Sequence, residues 1–484
     1  MSRQSQGGAK PRRSENRSAE AGRLVVVANR LPVRQVGGTD EKPRWRISPG
    51  GLVTALAPML RERGGTWVGW AGDMGRTYRP FTQDGIRCRP VALEADLFEG
   101  FYQGFSNSTL WPLYHDAVRP PEFHRHWWRP YVEANERFAK AAAGQVKDGD
   151  IVWVHDYQLQ LVPRMIRELK PETRIGFFNH IPFPPEELFA QLPWRRSILE
   201  GLLGADVIGF QTKQNAQNFS RAARRHTSAR GSDTELVFEG RRVQSRAFPI
   251  SIDTADFERS AASEEVVARA KELRALMAGR KVILGVDRLD YTKGIDIRFR
   301  SFEEALRRKS VTAENSVLVQ IAVPSRADVG EYVNERDEIE RLVGRINGTY
   351  GQPGKVAVHY LYRSVPREEL LAFYLASDVL MVTPFRDGMN LVAKEYVATR
   401  LDDTGVLVLS EFAGAAHELR GAILVNPHDI DGMADALEQA ISLPDDEATR
   451  RMAAMRRVVR RHDVYRWSDS FLDTLIHATQ PNWD

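Results

Sequence analysis

"DVLMVTPFRDGMNLVAKEY", residues 378–396, leaves an apolar run, turns at Pro384 and Gly388, and enters a segment of helical spacing. Val379–Val382 read as a short buried strand. Asn390 stands where a cap would, before a helix starting at Leu391. Four charges, Arg386, Asp387, Lys394 and Glu395, crowd the junction. A strand, a glycine turn and a helix with charge at the strand's carboxyl end mark a doubly wound α/β sheet, whose ligands collect outside the strand ends. The free N–H groups of Leu391, Val392 and Ala393 favour an anion there. Glu395 lies one turn in, on the face of Leu391, within reach of a ribose hydroxyl. Asp387 is placed to accept hydrogen bonds from sugar hydroxyls. The junction reads as a clamp for a nucleotide sugar.

The same pattern recurs outward from this stretch. "KVILGVDRLD", "SVLVQIAVP", "KVAVHYLY", "SDVLMVTP", "GVLVLS" and "GAILVNP" read as six strands, most of them separated by helices such as "PREELLAFYLAS". An earlier series runs through "RLVVVANR", "DIVWVHDY", "RIGFFNHIPFP" and "ADVIGFQT", again alternating with helical segments. Two βα series predict two Rossmann-like domains with a cleft between them. Pro249, in "AFPISIDTADF" (247–257), punctuates the join, and a charged helical tail spans 445–478.

The chain has 484 residues, 42% apolar and 27% charged, which suits two soluble globular domains. No apolar run is long enough to span a bilayer, so no membrane partner is expected. The single cysteine, Cys88, permits a reducing cytoplasm, and a cytoplasmic location is expected. The net charge of +4 equals the surplus carried by residues 1–23 alone, so the remainder is balanced. A short basic tail of this kind is a solvated, disordered terminus more often than a nucleic-acid arm.

The strand ends carry the remaining chemistry. Arg30 closes the first strand, and Gly50-Gly51 open the next helix, where a ligand could approach the backbone. "HDYQ" and "NHIPFP" set His155, Asp156 and His180 at neighbouring strand ends. An Asp there also suits a helix cap, and a buried His is often a satisfied core residue. "VDRLDYTKG" sets Arg288 and Lys293 after a strand, where two cations suit a diphosphate; a salt bridge to Asp287 or Asp290 is the plain alternative. "YQGFSNSTLWP" (102–112) adds Tyr102 before an "FSN" turn and an exposed-looking Trp111, a residue type that stacks on sugar faces. "HDID" (428–431) contains a DxD, but Asp429 sits at a helix start, where capping is the simpler reading.

Together "VVVANRLP", "SPGGL", "FSNSTLWP", "HDYQL", "FFNHIPFP", "DRLDYTKG", "GRINGTYG" and "RDGMNLVAKEYVA" make the chain resemble the trehalose-6-phosphate synthase family from about residue 23 to 475. The resemblance implies an α/β GT-B fold: a basic tail over 1–22, an acceptor-binding domain over 23–248 and a nucleotide-sugar domain over 249–460. A helical segment over 461–484 would cross back to the first domain. It implies retaining transfer of glucose from a nucleoside diphosphate glucose (UDP-, ADP- or GDP-glucose) to glucose 6-phosphate, by front-face substitution, with no cofactor and no metal. By the same resemblance Arg288 and Lys293 bind the diphosphate, and Leu391, Val392 and Glu395 the nucleoside. Gly51 lies near the donor phosphates, and Asp387 and His180 at the donor glucose. Arg30, Tyr102 and Arg326 match the acceptor phosphate site, Asp156 and Trp111 the acceptor sugar site. A homo-oligomer is expected, and no phosphatase domain is expected after residue 484.

The sequence departs from the family pattern at Val365, where that pattern carries an aromatic, and in the long segment between Arg30 and Gly50. The rival readings are a related transferase making another glucoside, a catalytically dead sugar-phosphate sensor, and a nucleic-acid binder. The intact set Arg288, Lys293, Asp387 and Glu395 speaks against the sensor.

Overall fold

A computed structural model describes residues 22–38, 43–48, 51–324 and 330–478. Arg326, Gly50 and the basic tail up to residue 21 lie outside the described residues.

Two sheets organise the chain. In the first, seven parallel strands run in the spatial order Arg241–Ala247, Val207–Phe210, Arg174–Phe178, Ile151–His155, Leu24–Arg30, Thr66–Trp70 and Ile86–Val91, with short antiparallel strands at both edges. In the second, six parallel strands run Val358–Tyr362, Ser316–Val323, Lys281–Arg288, Val379–Val382, Val406–Ser410 and Ile423–Val425. Each places its first strand between the second and the fourth in chain order, the 3-2-1-4-5-6 arrangement that opens a crevice beside strand one. The strands are apolar on both faces because helices cover both sides; Val25, Val26, Val152, Trp153, Ile283 and Leu284 are all buried.

The segment between Arg30 and Gly50 contains a hairpin, Val33–Gly38 paired with Pro43–Ile47. Residues 99–110 form a π-helix, Glu99–Leu110, where the sequence suggested an "FSN" turn. Its apolar side, with Phe101, Phe105 and Leu110, is buried, and that burial overrides the turn preference of Ser106 and Asn107.

After Ala247 the chain crosses to the second sheet and re-enters a helix at Thr254. Near its end it returns. Helix Val464–Ile476 packs on strands Arg174–Phe178 and Val207–Phe210 of the first sheet. Phe471 stacks on Trp153 with centroids 4.3 Å apart. One apolar cluster is thus continuous between the sheets, through Phe248, Ile250 and Ile252 of the crossing and Trp467 and Phe471 of the returning helix. The two crossings are stitched together: the Val464 N–H donates to Ile252 O at 3.0 Å, and Tyr465 Oη to Asp253 Oδ2 at 2.6 Å.

Candidate active site

The carboxyl ends of both sheets face one another across a cavity of about 430 Å³. Asp156 and His180 reach it from the first sheet. Arg288, Lys293, Asp387, Leu391 and Val392 reach it from the second.

Arg288 ends its strand, and Lys293 sits in the tight helical turn Tyr291–Lys293 that follows. Gly294 then takes φ 58°, and a Cβ there would lie 2.4 Å from Thr383 O, so this turn needs glycine on both counts. Below the strand ends, buried Arg298 donates to Gln320 Oε1 at 2.7 Å and to Asp287 Oδ2 at 2.5 Å. Asp287 is therefore occupied by Arg298 and Asp290 accepts from Thr292, so the alternative of a salt bridge from Lys293 to either is not the one formed. Lys293 Nζ donates to Asp387 Oδ2 at 2.6 Å instead. Burial raises the Asp387 carboxyl, but Lys293 and the Asn390 amide outweigh it, and the carboxyl is held below its ordinary range.

Asn390 caps the helix Leu391–Thr399, its Oδ1 accepting from the Ala393 N–H at 3.2 Å. The same side chain donates Nδ2 to Asp387 at 3.1 Å, which ties the helix N-terminus to the Lys293–Asp387 pair. Gly388 lets the turn touch the first domain: a Cβ there would lie 2.1 Å from His180 O.

On the facing side Asp156 adopts φ 75° and its Oδ1 accepts the His180 N–H at 3.2 Å. Burial pushes its carboxyl up to about 6, against the pull of the N–H groups of Tyr157 and His180 and the charge on Arg288. His180 Nε2 lies 3.2 Å from His155 Nδ1, and burial takes His180 down to about 3, so the imidazole is neutral. His115 is buried beside Trp111, and burial together with Lys293 lowers it to about 4.

The other predicted residues are not among those that line this cavity. Trp111 is 4% exposed, not exposed as its sequence context suggested: the π-helix carries it inward, under Arg288, whose Cζ is 5.7 Å from its ring centroid. Arg30 lies with its Cζ 4.1 Å from the Trp70 ring centroid. Trp70 and Phe98 are 4.6 Å apart, and Phe98 stacks on Tyr102 at 5.0 Å, so one aromatic run brings Tyr102 alongside Arg30. Gly51 begins the helix whose Leu52 lines the cavity. Glu395 lines a larger neighbouring cavity of about 670 Å³ that shares Leu391 and contains Val365, Phe257, Asp256 and Arg367. Burial raises the Glu395 carboxyl, which accepts from Tyr374 Oη at 3.0 Å.

Two charges of the opening stretch serve the framework. Lys394 is buried and donates to Ile250 O at 2.8 Å and Glu418 Oε2 at 2.6 Å, fastening the helix to the crossing. Arg386 pairs with Asp116 of the first domain at 3.2 Å. Neither partner was visible in sequence; His115 had one faint signal, its position four residues after Trp111 in a helix-like register. Asp429 accepts from the Gly432 N–H at 2.9 Å as a helix cap, and Asp431 pairs with Arg308.

Residues 22–477 match the model of glycosyltransferase family 20. The chain belongs to glycosyltransferase family 20. Within the family it is 54% identical over 462 residues to the trehalose-6-phosphate synthase of Mycolicibacterium smegmatis, covering 93% of this chain and 92% of that one. An α,α-trehalose-phosphate synthase (UDP-forming) of Burkholderia vietnamiensis superposes with TM-score 0.88 at 38% identity, covering 95% and 97% of the two chains. An E. coli structure bound with UDP-2-fluoro glucose superposes with TM-score 0.88 at 35% identity, over 95% of this chain and all of that one. The chain is thus similar along nearly its whole length to trehalose-6-phosphate synthases, and its two facing sheets are those of the GT-B fold. Among its described residues no helix is long and apolar enough to cross a membrane.

Proposed function

We propose that this chain transfers glucose, with retention, from a nucleoside diphosphate glucose to glucose 6-phosphate. The observation that carries the reading is the set of cations and amides at one strand-end cluster, Arg288, Lys293 and the N-terminus of helix Leu391–Thr399, facing Asp156 and His180 across one cavity. Relatives add support: the E. coli structure carries UDP-2-fluoro glucose, and a Burkholderia xenovorans synthase was solved in complex with glucose-6-phosphate.

As the bond from the sugar to the diphosphate breaks, negative charge grows on the leaving group. Arg288, Lys293 and the helix amides are fixed where that charge develops, so little reorganisation accompanies the step. Lys293 is already held by Asp387; in this scheme it turns part of its charge to the diphosphate while Asp387 and the neutral His180 accept and donate hydrogen bonds at the donor sugar. Asp156 accepts from an acceptor hydroxyl, Trp111 borders the acceptor sugar, and Arg30 with Tyr102 meets the acceptor phosphate; Arg326 is assigned to that phosphate by family resemblance. The proton of the attacking hydroxyl leaves on the departing phosphate oxygen, on the same face. Glu395 and the cavity around Val365 take the nucleoside.

The test is a panel of UDP-, ADP- and GDP-glucose with glucose 6-phosphate or free glucose. We expect α,α-trehalose 6-phosphate plus the nucleoside diphosphate, the anomeric configuration read by NMR. A preference for the phosphorylated acceptor on the order of a hundredfold in kcat/KM is expected from its charged contacts. No product from any pair, or equal use of both acceptors, overturns the corresponding half of the proposal.

A further inference from the structure

Residues 111–119 join the two sides of the cleft. Trp111 begins the segment under Arg288 and, in the proposed reading, borders the acceptor sugar. Two consecutive residues, Asp116 and Ala117, then take left-handed φ values of 58° and 51°. A left-handed backbone at a non-glycine residue is strained and persists only where its surroundings hold it. The Ala117 N–H is held within the segment by Pro112 O at 2.9 Å, and side chains of the segment reach the second domain. Asp116 pairs with Arg386, the neighbour of Asp387, at 3.2 Å. Arg119 lays its guanidinium 4.7 Å from the ring centroid of Tyr291 and donates Nη2 to Glu335 Oε2 at 2.6 Å. Tyr291 is 4% exposed and packs in the apolar cluster of the first domain, the cluster that also holds Trp111, although its turn follows a strand of the second. Lys293 follows two residues later in the same turn.

We propose that Arg119 is a positioning residue: from the acceptor side it fixes the Tyr291–Lys293 turn of the donor side, so that filling one substrate site tightens the other. The inference rests on the reading of Lys293 as a diphosphate ligand. Its physical basis is mechanical. The Arg119 fork is planar and held at both ends, by a ring face and by a carboxylate, and a shift of Trp111 moves the segment and the turn together. Glu335 is itself crowded. Burial, with Asp296, Asp290 and Glu338 facing it, pushes its carboxyl up to about 7, and Arg119 is the charge that pulls it down. Loss of Arg119 leaves that carboxyl without its counter-charge and frees the turn.

The experiment is titration calorimetry on the full chain, measuring the Kd of UDP, ADP and GDP with and without saturating glucose 6-phosphate. In wild type we expect tightening on the order of tenfold for the nucleotide that binds. In Arg119→Gln the ratio falls toward one while the Kd of each ligand alone changes less than about threefold. Glu335→Gln keeps the Arg119–Tyr291 contact and loses only part of the ratio; Arg119→Lys, which cannot reproduce the planar fork, restores only part of it. A merely structural Arg119 would lower the melting temperature and leave the ratio at its wild-type value, and that result overturns the proposal. A wild-type ratio of one overturns it as well. If no nucleoside diphosphate binds wild type at all, the donor reading falls, and this inference with it. Should Arg119→Gln not fold, Glu335→Gln decides alone: an unchanged ratio there refutes the coupling.

Discussion

Adding one methyl group at Gly388 should push the two domains apart beside the candidate site while leaving every site side chain in place. A Cβ built there meets His180 O at 2.1 Å, His180 C at 3.1 Å and Ile181 Cα at 3.2 Å, all backbone. Ordinary contact lies near 3.5 Å, so the overlap exceeds about 1 Å. Neither side can yield locally. The His180 carbonyl is held by Gln211 Nε2 at 3.4 Å and its N–H by Asp156. Behind Gly388, Gly414 approaches so closely that its own Cβ would lie 2.0 Å from Gly388 O. In Gly388→Ala the domains must therefore part by roughly 1 Å beside Asp387. A displacement of that size costs about a hundredfold in rate, or about 2.7 kcal/mol of transition-state stabilisation. Each domain's own core is untouched, so the melting temperature should move by only a few degrees, on the order of a 1 kcal/mol change. Steady-state kinetics with both substrates, a thermal melt and a nucleoside diphosphate Kd make the assay. Turnover within about threefold of wild type in the folded variant would show that this contact does not set the spacing of the sites.

Lys293→Ala removes a diphosphate ligand and leaves the Asp387 carboxylate buried without its partner; we expect turnover to fall by at least about a hundredfold and stability by about 3 kcal/mol, with Asp387→Asn restoring the stability but not the turnover. Asp156, at about 6 in the folded chain against an ordinary 3.8, is a carboxyl raised by folding. Its contribution to stability is full below about pH 4 and is lost as pH rises through 6. Asp156→Asn should therefore be the more stable protein at pH 8, by about 3 kcal/mol, while acceptor kcat/KM collapses; urea unfolding at pH 4 and pH 8 compares them. With cationic side chains doing the neutralising, a chelator should leave most of the turnover intact, and full loss restored by manganese or magnesium would return Asp429 and Asp431 to consideration.

The strand ends were legible because each follows an apolar run with a period that only a sheet covered on both faces produces. Asn390, Leu391 and the charges around Gly388 were readable for the same reason: capping and glycine turns are local. What escaped the sequence is set by distance in space. Lys293 pairs with Asp387 because Thr292 occupies Asp290, Arg298, unremarkable in sequence, holds Asp287, and the helix cap brings Asp387 in from another strand. Lys394 was one of four charges at the junction with no role assigned by its neighbours in sequence, and it is a fastener of the domain crossing. The π-helix hid behind Ser, Asn and Gly, residues whose turn preference gives way once Phe101 and Phe105 are buried.

The return of helix Val464–Ile476 to the first sheet also bears on how the protein is made. Gly176 and Gly209 lack side chains where Phe471 lies against them; a Cβ would come within 2.6 Å and 2.8 Å of its ring. That patch of the first sheet is shaped for a segment that leaves the ribosome hundreds of residues later. During synthesis, at roughly 5–20 residues per second, Trp153 and Phe178 therefore wait for tens of seconds without their cover. The first domain is not a self-sufficient translation product, and a hybrid enzyme that exchanges the two halves must carry residues 464–476 with the amino-terminal half to which they are fitted.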